Sequence, residues 1–290
     1  MTVRASGMAT TDELTRKNVA QAGFRRRVVV GIGLAMVGIG SIFYRPAFDV
    51  LVYVIAVGAL WELHKLDERK GSPLHWPVAF AAVTGYVALA SFGQLQHYER
   101  DLIGLTILVS FVFGLVRAGS GYLLRTAVTV IAVLYIGKLI SYYIILRNMV
   151  PNGLALTVYV VVLVAVTDTA CMLVGVRFGR RRLTPVSPRK TVEGAAGGFA
   201  AAVLVGVVGG TLAPLHFAPW QAAFISGVTS LAAILGDLVE SALKRDARVK
   251  DAGSAISGHG GVLDRFDSYL FSGIAYYWAL HLLRGIPLAR

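Results

Sequence analysis

Long apolar runs separated by short polar stretches recur along most of this 290-residue chain. Each run is about 17 to 25 residues long, the length that an α-helix needs to cross the hydrocarbon core of a bilayer. Stretches such as VYVVVLVAV at 158–166 lack the polar/apolar alternation of barrel strands. The pattern predicts an all-α, polytopic integral membrane protein with about nine transmembrane helices. We expect them near 26–43, 46–63, 76–92, 101–116, 121–146, 152–176, 194–214, 219–240 and 268–284.

The composition agrees with a membrane location. Hydrophobic residues make up 56% of the chain, charged residues make up 15%, and the mean hydropathy is +0.67, so most of the surface cannot face water. The net charge of +12 could indicate a nucleic-acid partner. If the N-terminus is cytoplasmic, however, most of the basic residues fall in loops on the cytoplasmic side of the membrane. This positive-inside bias explains the charge with no nucleic acid. It predicts a multi-pass protein of the cell inner (plasma) membrane, with its C-terminus outside.

Polar side chains are distributed unevenly along the chain. We interpret residues 1–25 as a polar N-terminal arm and 26–150 as transmembrane scaffold helices. Residues 151–290 carry most of the functional side chains and are predicted to form the catalytic transmembrane region, with cytoplasmic loops at 177–193 and 241–267. Because nucleotides are found in the cytoplasm, we expect the active site to face that side.

An acidic residue near the end of the 219–240 segment is the first sign of chemistry. Asp237, Ser241 and Lys244 fall at positions i, i+4 and i+7 and therefore share one face of a helix. A lone carboxylate within the membrane domain costs at least about 3 kcal/mol, so Asp237 needs a partner. Two kinds of partner remain open, namely an ion pair with Lys244 or a base on another helix, and a divalent cation.

The sequence GHGG at 258–261 precedes a second group of charges. Its glycines let backbone amides approach an anion closely. Asp264, Arg265 and Asp267 then open the last helix, where the helix dipole alone would favour acids. If these acids converge with Asp237, they fit a Mg²⁺ site, because magnesium takes one or two carboxylates together with phosphate oxygens.

The loop at 177–193 is the other basic segment. Its arginines at 180–182 are typical of orientation signals or contacts with anionic lipid. The sequence SPRKT at 187–191 differs, since two hydroxyls surround two bases in a proline-stiffened stretch suited to phosphate groups. Asp168 lies in the apolar segment before this loop. It is a further site candidate, because a charged side chain within the membrane is costly and usually has a function.

These motifs together resemble the bacterial phosphatidate cytidylyltransferases, or CDP-diacylglycerol synthases. The family signature SxxKRxxxxKDxGxxxPGHGGxxDRxD is found from Ser241 to Asp267, and a second family block is found as DTACMLVG and SPRKTVEG. The chain departs from the pattern in three places, with Ser257 for proline, Met172 for tyrosine and Arg189 for lysine. None of the three is a predicted metal ligand.

The resemblance implies a reaction in which CTP and phosphatidic acid give CDP-diacylglycerol and pyrophosphate. It implies Mg²⁺ as the cofactor with K⁺ as a second cation, and Asp237 and Asp264 as the metal ligands. A homodimer embedded in the lipid bilayer is the family-based expectation. The expected catalytic residues are Asp237, Asp264, Lys244, Arg245, Lys250 and Arg265. The expected substrate-binding residues are Asp168, Ser187, Lys190, Thr191, Ser241, Asp251, His259, Gly260, Gly261 and Asp267.

Two other functions remain open on the sequence. A CTP-dependent isoprenoid lipid kinase, or a cytidylyltransferase acting on an isoprenoid lipid, would use similar nucleotide-binding parts. A transporter or channel would instead use Asp168, Lys138 and Asp237 as a pathway through the membrane. The polar residues gather at one end of the predicted helices, which favours an enzyme.

Overall fold

A computed structural model of the protein describes residues 33, 36–71, 73–116, 121–212, 214–249, 253 and 261–284. Within these ranges the chain is helical, and its only strand-like pairing is an isolated bridge between Arg182 and Thr191. The elements are α1 (Arg45–Arg69), α2 (Trp76–Ser91), α3 (Leu95–Val116), α4 (Tyr122–Ala132), a π-helical segment (Val133–Lys138), α5 (Leu139–Asn148), α6 (Gly153–Phe178), α7 (Val192–Thr211), α8 (Pro219–Asp246) and α9 (Leu263–Arg284).

The all-helical membrane class is confirmed. In the part of the chain that the structure describes, five helical runs are long and apolar enough to cross a bilayer, namely Arg45–Arg69, Tyr122–Asn148, Gly153–Phe178, Val192–Thr211 and Pro219–Asp246. Helix α2 is apolar but only 16 residues long. Every segment predicted from 46–63 onward coincides with a helix, whereas most of 26–43 lies outside the described residues. The total of nine spans stays a prediction.

Local sequence signals explain where several helices begin. Proline stands in the first turn of α1, α2 and α8, where its fixed φ suits a helix and its missing N–H is not needed. Helix α7 begins after Thr191, whose Oγ1 accepts a hydrogen bond from the Gly194 N–H at 3.1 Å. The SPRKT sequence therefore ends in a helix cap.

The four C-terminal helices pack most extensively, with α6 against α7, α7 against α8 and α8 against α9. Small residues allow this packing. A Cβ at Gly198 on α7 would collide with the Cys171 sulfur of α6, and a Cβ at Gly236 on α8 would lie 2.5 Å from the Asp267 carbonyl oxygen of α9. The glycine-rich run 194–198 therefore lets α7 approach α6 closely. Helix α1, from the N-terminal half, also contacts α9.

Candidate active site

A cavity of about 590 Å³ lies among α6, α7, α8, α9 and the loop that precedes α7. Its charged and hydroxyl-bearing walls coincide with the two sequence blocks singled out above. Predicted site residues that line it are Asp168, Ser187, Lys190, Thr191, Asp237, Lys244, Asp264, Arg265 and Asp267. The remaining lining residues are Cys171, Met172, Gly175, Val176, Leu183, Arg189, Gly194, Ala195, Ile234 and Ser268.

Three carboxylates converge at this cavity. Asp237, Glu240 and Asp267 each place an oxygen within 4.8 Å of the other two. Asp237 and Glu240 lie three residues apart on α8 and so share a helix face, and Asp267 reaches them because Gly236 lets the α9 backbone touch α8. Glu240 is fully buried and Asp267 nearly so. Carboxylates this close repel one another when they are ionised, so nearby cations stabilise the group.

Two lysines supply positive charge at this group. Lys190, from the loop before α7, forms an ion pair with Asp237. Lys244 lies one turn after Glu240, with its Nζ 2.5 Å from Glu240 Oε2 and 2.8 Å from Asp264 Oδ1. The partner that Asp237 needs is therefore Lys190 and not Lys244, although both lysines belong to the predicted site.

Asp264, one of the two predicted metal ligands, has a different environment from Asp237. Its Oδ2 accepts a hydrogen bond from the Gly261 N–H at 2.9 Å, while Oδ1 faces Lys244. Burial raises the pKa of Asp264, but hydrogen bonds with Glu240, Lys244 and the Gly261 amide outweigh it and lower the pKa to about 2. Asp264 is therefore an anion that holds Lys244, and it lies beside the group of three converging carboxylates.

Asp168 joins the site through a serine. The Ser268 hydroxyl donates to Asp168 Oδ1 at 3.1 Å, and the Ser268 N–H donates to Asp267 Oδ1 at 2.7 Å. The acid on α6 is thereby connected to the acid at the start of α9. The prediction that Asp168 belongs with the later motifs agrees with this geometry.

The loop before α7 folds back on itself and carries the SPRKT residues to the cavity. The Leu183 N–H donates to the Lys190 carbonyl at 2.8 Å, and the Lys190 N–H donates to the Ser187 carbonyl at 3.0 Å. Glu193 accepts hydrogen bonds from the amides of Arg180 and Arg181. These bonds direct Lys190 towards α8.

Some predicted residues do not line the cavity. The exposed Arg245 donates to the carbonyl oxygens of Val186 and Val249 at 3.4 and 3.2 Å, so it joins the loop to the end of α8. Ser241 is buried, and Gly261 contributes its amide to Asp264. Lys250, Asp251, His259 and Gly260 lie outside the residues that the structure describes.

Sequence reasoning missed two acids. Glu240 could have been found by its spacing, because it falls on the same helix face as Asp237. Glu62, on α1, accepts hydrogen bonds from the Val262 and Leu263 amides at 2.9 and 2.8 Å. About two hundred residues separate it from these partners, and no local pattern marks the contact.

Comparison with known proteins places this geometry in a family. The model of the cytidylyltransferase family matches residues 25–283, which is most of the chain. This chain belongs to the cytidylyltransferase family. The sequence-based resemblance is therefore confirmed at the level of the family.

Several curated members of the cytidylyltransferase family are similar to this chain. A phosphatidate cytidylyltransferase of Bacillus subtilis (strain 168) is 32% identical over 277 residues, covering 89% of this chain and 98% of the relative. One of Staphylococcus haemolyticus (strain JCSC1435) is 37% identical over 226 residues, covering 77% and 85%. One of Synechocystis sp. (strain ATCC 27184 / PCC 6803 / Kazusa) is 41% identical over 136 residues, covering 46% of each chain.

Proposed function

We propose that this protein is a phosphatidate cytidylyltransferase, which converts CTP and phosphatidic acid into CDP-diacylglycerol and pyrophosphate. The observation that carries the proposal is the cavity lined by Asp237, Asp267, Lys190 and Lys244, where the two aspartates converge with the buried Glu240 behind the wall. Both substrates carry dense negative charge, and a site with paired carboxylates and lysines can bind them together with a cation. The names of the similar proteins support this choice of substrates.

The converging carboxylates suit a magnesium ion. Three oxygen donors within 4.8 Å of one another match the hard-cation chemistry of Mg²⁺, which also keeps room for phosphate oxygens and water. We propose that Asp237 binds Mg²⁺ together with Glu240 and Asp267, and that Asp264, the second ligand predicted from the sequence, supports the site through Lys244. When bound, Mg²⁺ would neutralise charge on the phosphates of CTP. K⁺ is the second cation implied by the family resemblance.

The reaction needs little covalent chemistry from the protein. A phosphate oxygen of phosphatidic acid forms a bond to the α-phosphorus of CTP, while the bond from that phosphorus to the bridging oxygen breaks and pyrophosphate leaves. Lys190 and Lys244 can exchange their carboxylate partners for phosphate oxygens, and Arg265 lines the same cavity. Because phosphatidic acid is already ionised at neutral pH, no general base is required. These side chains therefore align two anions and stabilise the charge of the transition state.

We further propose a finer placement in the cell. The basic segments at 177–193 and 241–267 are joined to the ends of α6, α7, α8 and α9 that meet at the cavity, and basic loops favour the cytoplasmic side. The cavity would then open to the cytoplasm of a bacterial inner membrane. Nine spans would leave the N-terminus inside and the C-terminus outside. We also propose that the protein forms a homodimer, as the family resemblance implies.

One assay separates the proposed function from its alternatives. Purified full-length protein would be given phosphatidic acid, Mg²⁺ and CTP labelled either in the cytosine ring or at the γ-phosphate. Label from the ring in the lipid supports cytidylyl transfer, whereas transfer of the γ-phosphate alone indicates a kinase. If neither label enters phosphatidic acid, the same reactions with an isoprenoid alcohol or isoprenoid phosphate would identify a different lipid acceptor. No labelled lipid with any acceptor would overturn the enzyme proposal, and ion flux in proteoliposomes would then test a channel.

A further inference from the structure

The Glu62 side chain of α1 is buried against the end of the signature loop, defined here as residues 247–262. It is 3% exposed. Its Oε1 accepts the Val262 N–H at 2.9 Å and its Oε2 accepts the Leu263 N–H at 2.8 Å. Both amides belong to the entry into α9, where backbone N–H groups have no partner within the helix. One carboxylate from the N-terminal half thus satisfies two amides of the C-terminal half.

The two described glycines of the signature loop, Gly253 and Gly261, fit closely around this carboxylate. A Cβ at Gly253 would lie 2.5 Å from Glu62 Oε1, and a Cβ at Gly261 would collide with Oε2. One turn earlier on α1, a Cβ at Gly58 would lie 3.1 Å from a methyl group of Val262. Gly58 and Glu62 are at positions i and i+4 and share one helix face. This face of α1 is shaped to receive the loop.

The contact continues from Glu62 into the cavity. Gly261, pressed against Glu62, donates its N–H to Asp264 at 2.9 Å. Asp264 in turn lies 2.8 Å from the Nζ of Lys244, which pairs with the fully buried Glu240. An unbroken series of contacts therefore joins a scaffold helix to the converging carboxylates.

The other end of the signature loop is also attached to α1. Asp246, the last residue of α8, forms an ion pair with Lys70, which follows α1. This pair is more exposed than Glu62 and contributes little by itself, as surface ion pairs do. The buried contact at Glu62 is the stronger attachment, because a buried carboxylate with two amide donors costs much more to break.

We propose that Glu62 is a positioning residue for the nucleotide site: by holding the amides of residues 262 and 263, it fixes the entry into α9 so that Asp264 keeps Lys244 directed at the substrate phosphates. The proposal rests on the proposed cytidylyltransferase function. It assigns an active-site task to a segment that the sequence identified only as scaffold.

The test compares Glu62→Gln with Glu62→Asp and with a matched control, Glu68→Gln. Glutamine keeps the size of Glu62 but has only one acceptor oxygen, so one amide loses its partner. Glu68 lies on the same helix with 41% of its side chain exposed, and among the described residues its carboxylate forms ion pairs with Lys65 and His64. We expect Glu62→Gln to raise the KM for CTP about fivefold and to lower kcat about tenfold, with Glu62→Asp in between. Glu68→Gln should match wild type.

A second readout does not depend on activity. In detergent-solubilised protein without nucleotide, trypsin can cut the signature loop after Arg248 or Lys250, and the fragments are identified by mass. Glu62→Gln should be cut about tenfold faster there, since releasing residues 262 and 263 from α1 costs less without the second hydrogen bond. The rate for Glu68→Gln should equal that of wild type.

These outcomes separate the two proposals. Suppose that the wild-type protein labels no lipid but that Glu62→Gln is still cleaved faster than wild type. This result would support the attachment at Glu62 while rejecting the enzymatic function. A loss of active protein with unchanged KM for CTP would show a purely structural role and would overturn the positioning role. Unchanged cleavage together with unchanged kinetics would overturn the proposal altogether.

Discussion

Lys190 and Asp237 form an ion pair across the cavity, between the loop that precedes α7 and the first charged residue of α8. Both side chains remain partly exposed to the cavity, 24% and 33% respectively. The pair compensates a carboxylate that would be costly alone within the membrane domain. It also brings the lysine that we propose binds a phosphate and the carboxylate that we propose binds Mg²⁺ to one place, where a nucleotide could separate them.

The first prediction concerns the proposed metal ligands. Asp237→Asn and Asp267→Asn each remove a charge from the carboxylate group, and we expect turnover to fall at least about a hundredfold and the Mg²⁺ concentration for half-maximal activity to rise. Asp264→Asn should lower turnover through Lys244 while leaving the Mg²⁺ requirement near that of wild type. The measurement is a Mg²⁺ titration of activity for each purified variant.

Asp101→Asn is the control for these variants, because Asp101 is exposed on α3 and does not line the cavity. An Asp264→Asn variant with a Mg²⁺ requirement raised as far as that of Asp267→Asn would place Asp264 among the ligands. Near-normal turnover in Asp237→Asn would remove that residue from the metal site.

A second prediction tests Lys190. Replacing it with methionine keeps much of the apolar stem but removes the charge, so we expect the KM for CTP to rise about tenfold, as for loss of one charge-assisted phosphate contact. Lys190→Arg should retain part of the affinity. Arg177→Ala is the control, because Arg177 is exposed at the end of α6. Its KM for CTP should equal that of wild type. An unchanged KM in Lys190→Met would show that this lysine does not contact the nucleotide.

A third prediction concerns the contact between α8 and α9. A methyl group at Gly236 would lie 2.5 Å from the Asp267 carbonyl oxygen, so Gly236→Ala must push the two helices apart. Overpacking of this kind costs about 1 to 3 kcal/mol, and it should lower both the Tm in detergent and the activity. At Gly104 nothing lies within 4 Å of an added Cβ, and Gly104→Ala should lower neither, because alanine favours the helix more than glycine does. A Gly236→Ala variant with normal Tm and activity would contradict the described helix contact.

A fourth prediction concerns the pair between Lys138 and Glu99, whose Nζ and Oε1 lie 2.8 Å apart. Neither residue lines the cavity. Lys138→Met leaves Glu99 without its cation, and because the pair is only partly buried we expect a loss of about 1 kcal/mol, measured as a lower Tm. The double variant Lys138→Met/Glu99→Gln should recover part of this loss.

The enzymatic activity of the same variants tests whether Lys138 has a role beyond this ion pair. If Lys138 has only this structural partner, cytidylyl transfer per folded molecule should be unchanged in both variants. A pathway for ions through Lys138, as a channel would need, predicts instead that ion flux in proteoliposomes changes with the substitution. Flux that is present in wild type and lost in Lys138→Met would favour the channel.

Much of the candidate site follows from local rules. Charges in apolar segments are costly, so Asp168 and Asp237 are conspicuous without any structure. Helical spacing puts Asp237 and Lys244 on one face, and the same rule could have included Glu240. The choice of ion partners does not follow in this way, since Lys244 pairs with Glu240 and Asp264 while Asp237 pairs with Lys190. Partner choice depends on where a loop places its side chain.

By itself the sequence determined the helical membrane class, the segments that become helices from residue 46 onward, the family, and most of the charged and hydroxyl-bearing residues around the cavity. It could do so because hydrophobic length, helical period and the cost of buried charge are properties of short segments. Only the tertiary structure decided that Asp267 joins Asp237 and Glu240, that Asp264 holds Lys244, and that Glu62 binds the amides of residues 262 and 263. These contacts join residues that are far apart in the sequence. They form where helices pack, and a glycine that lets two helices approach closely determines which side chains meet.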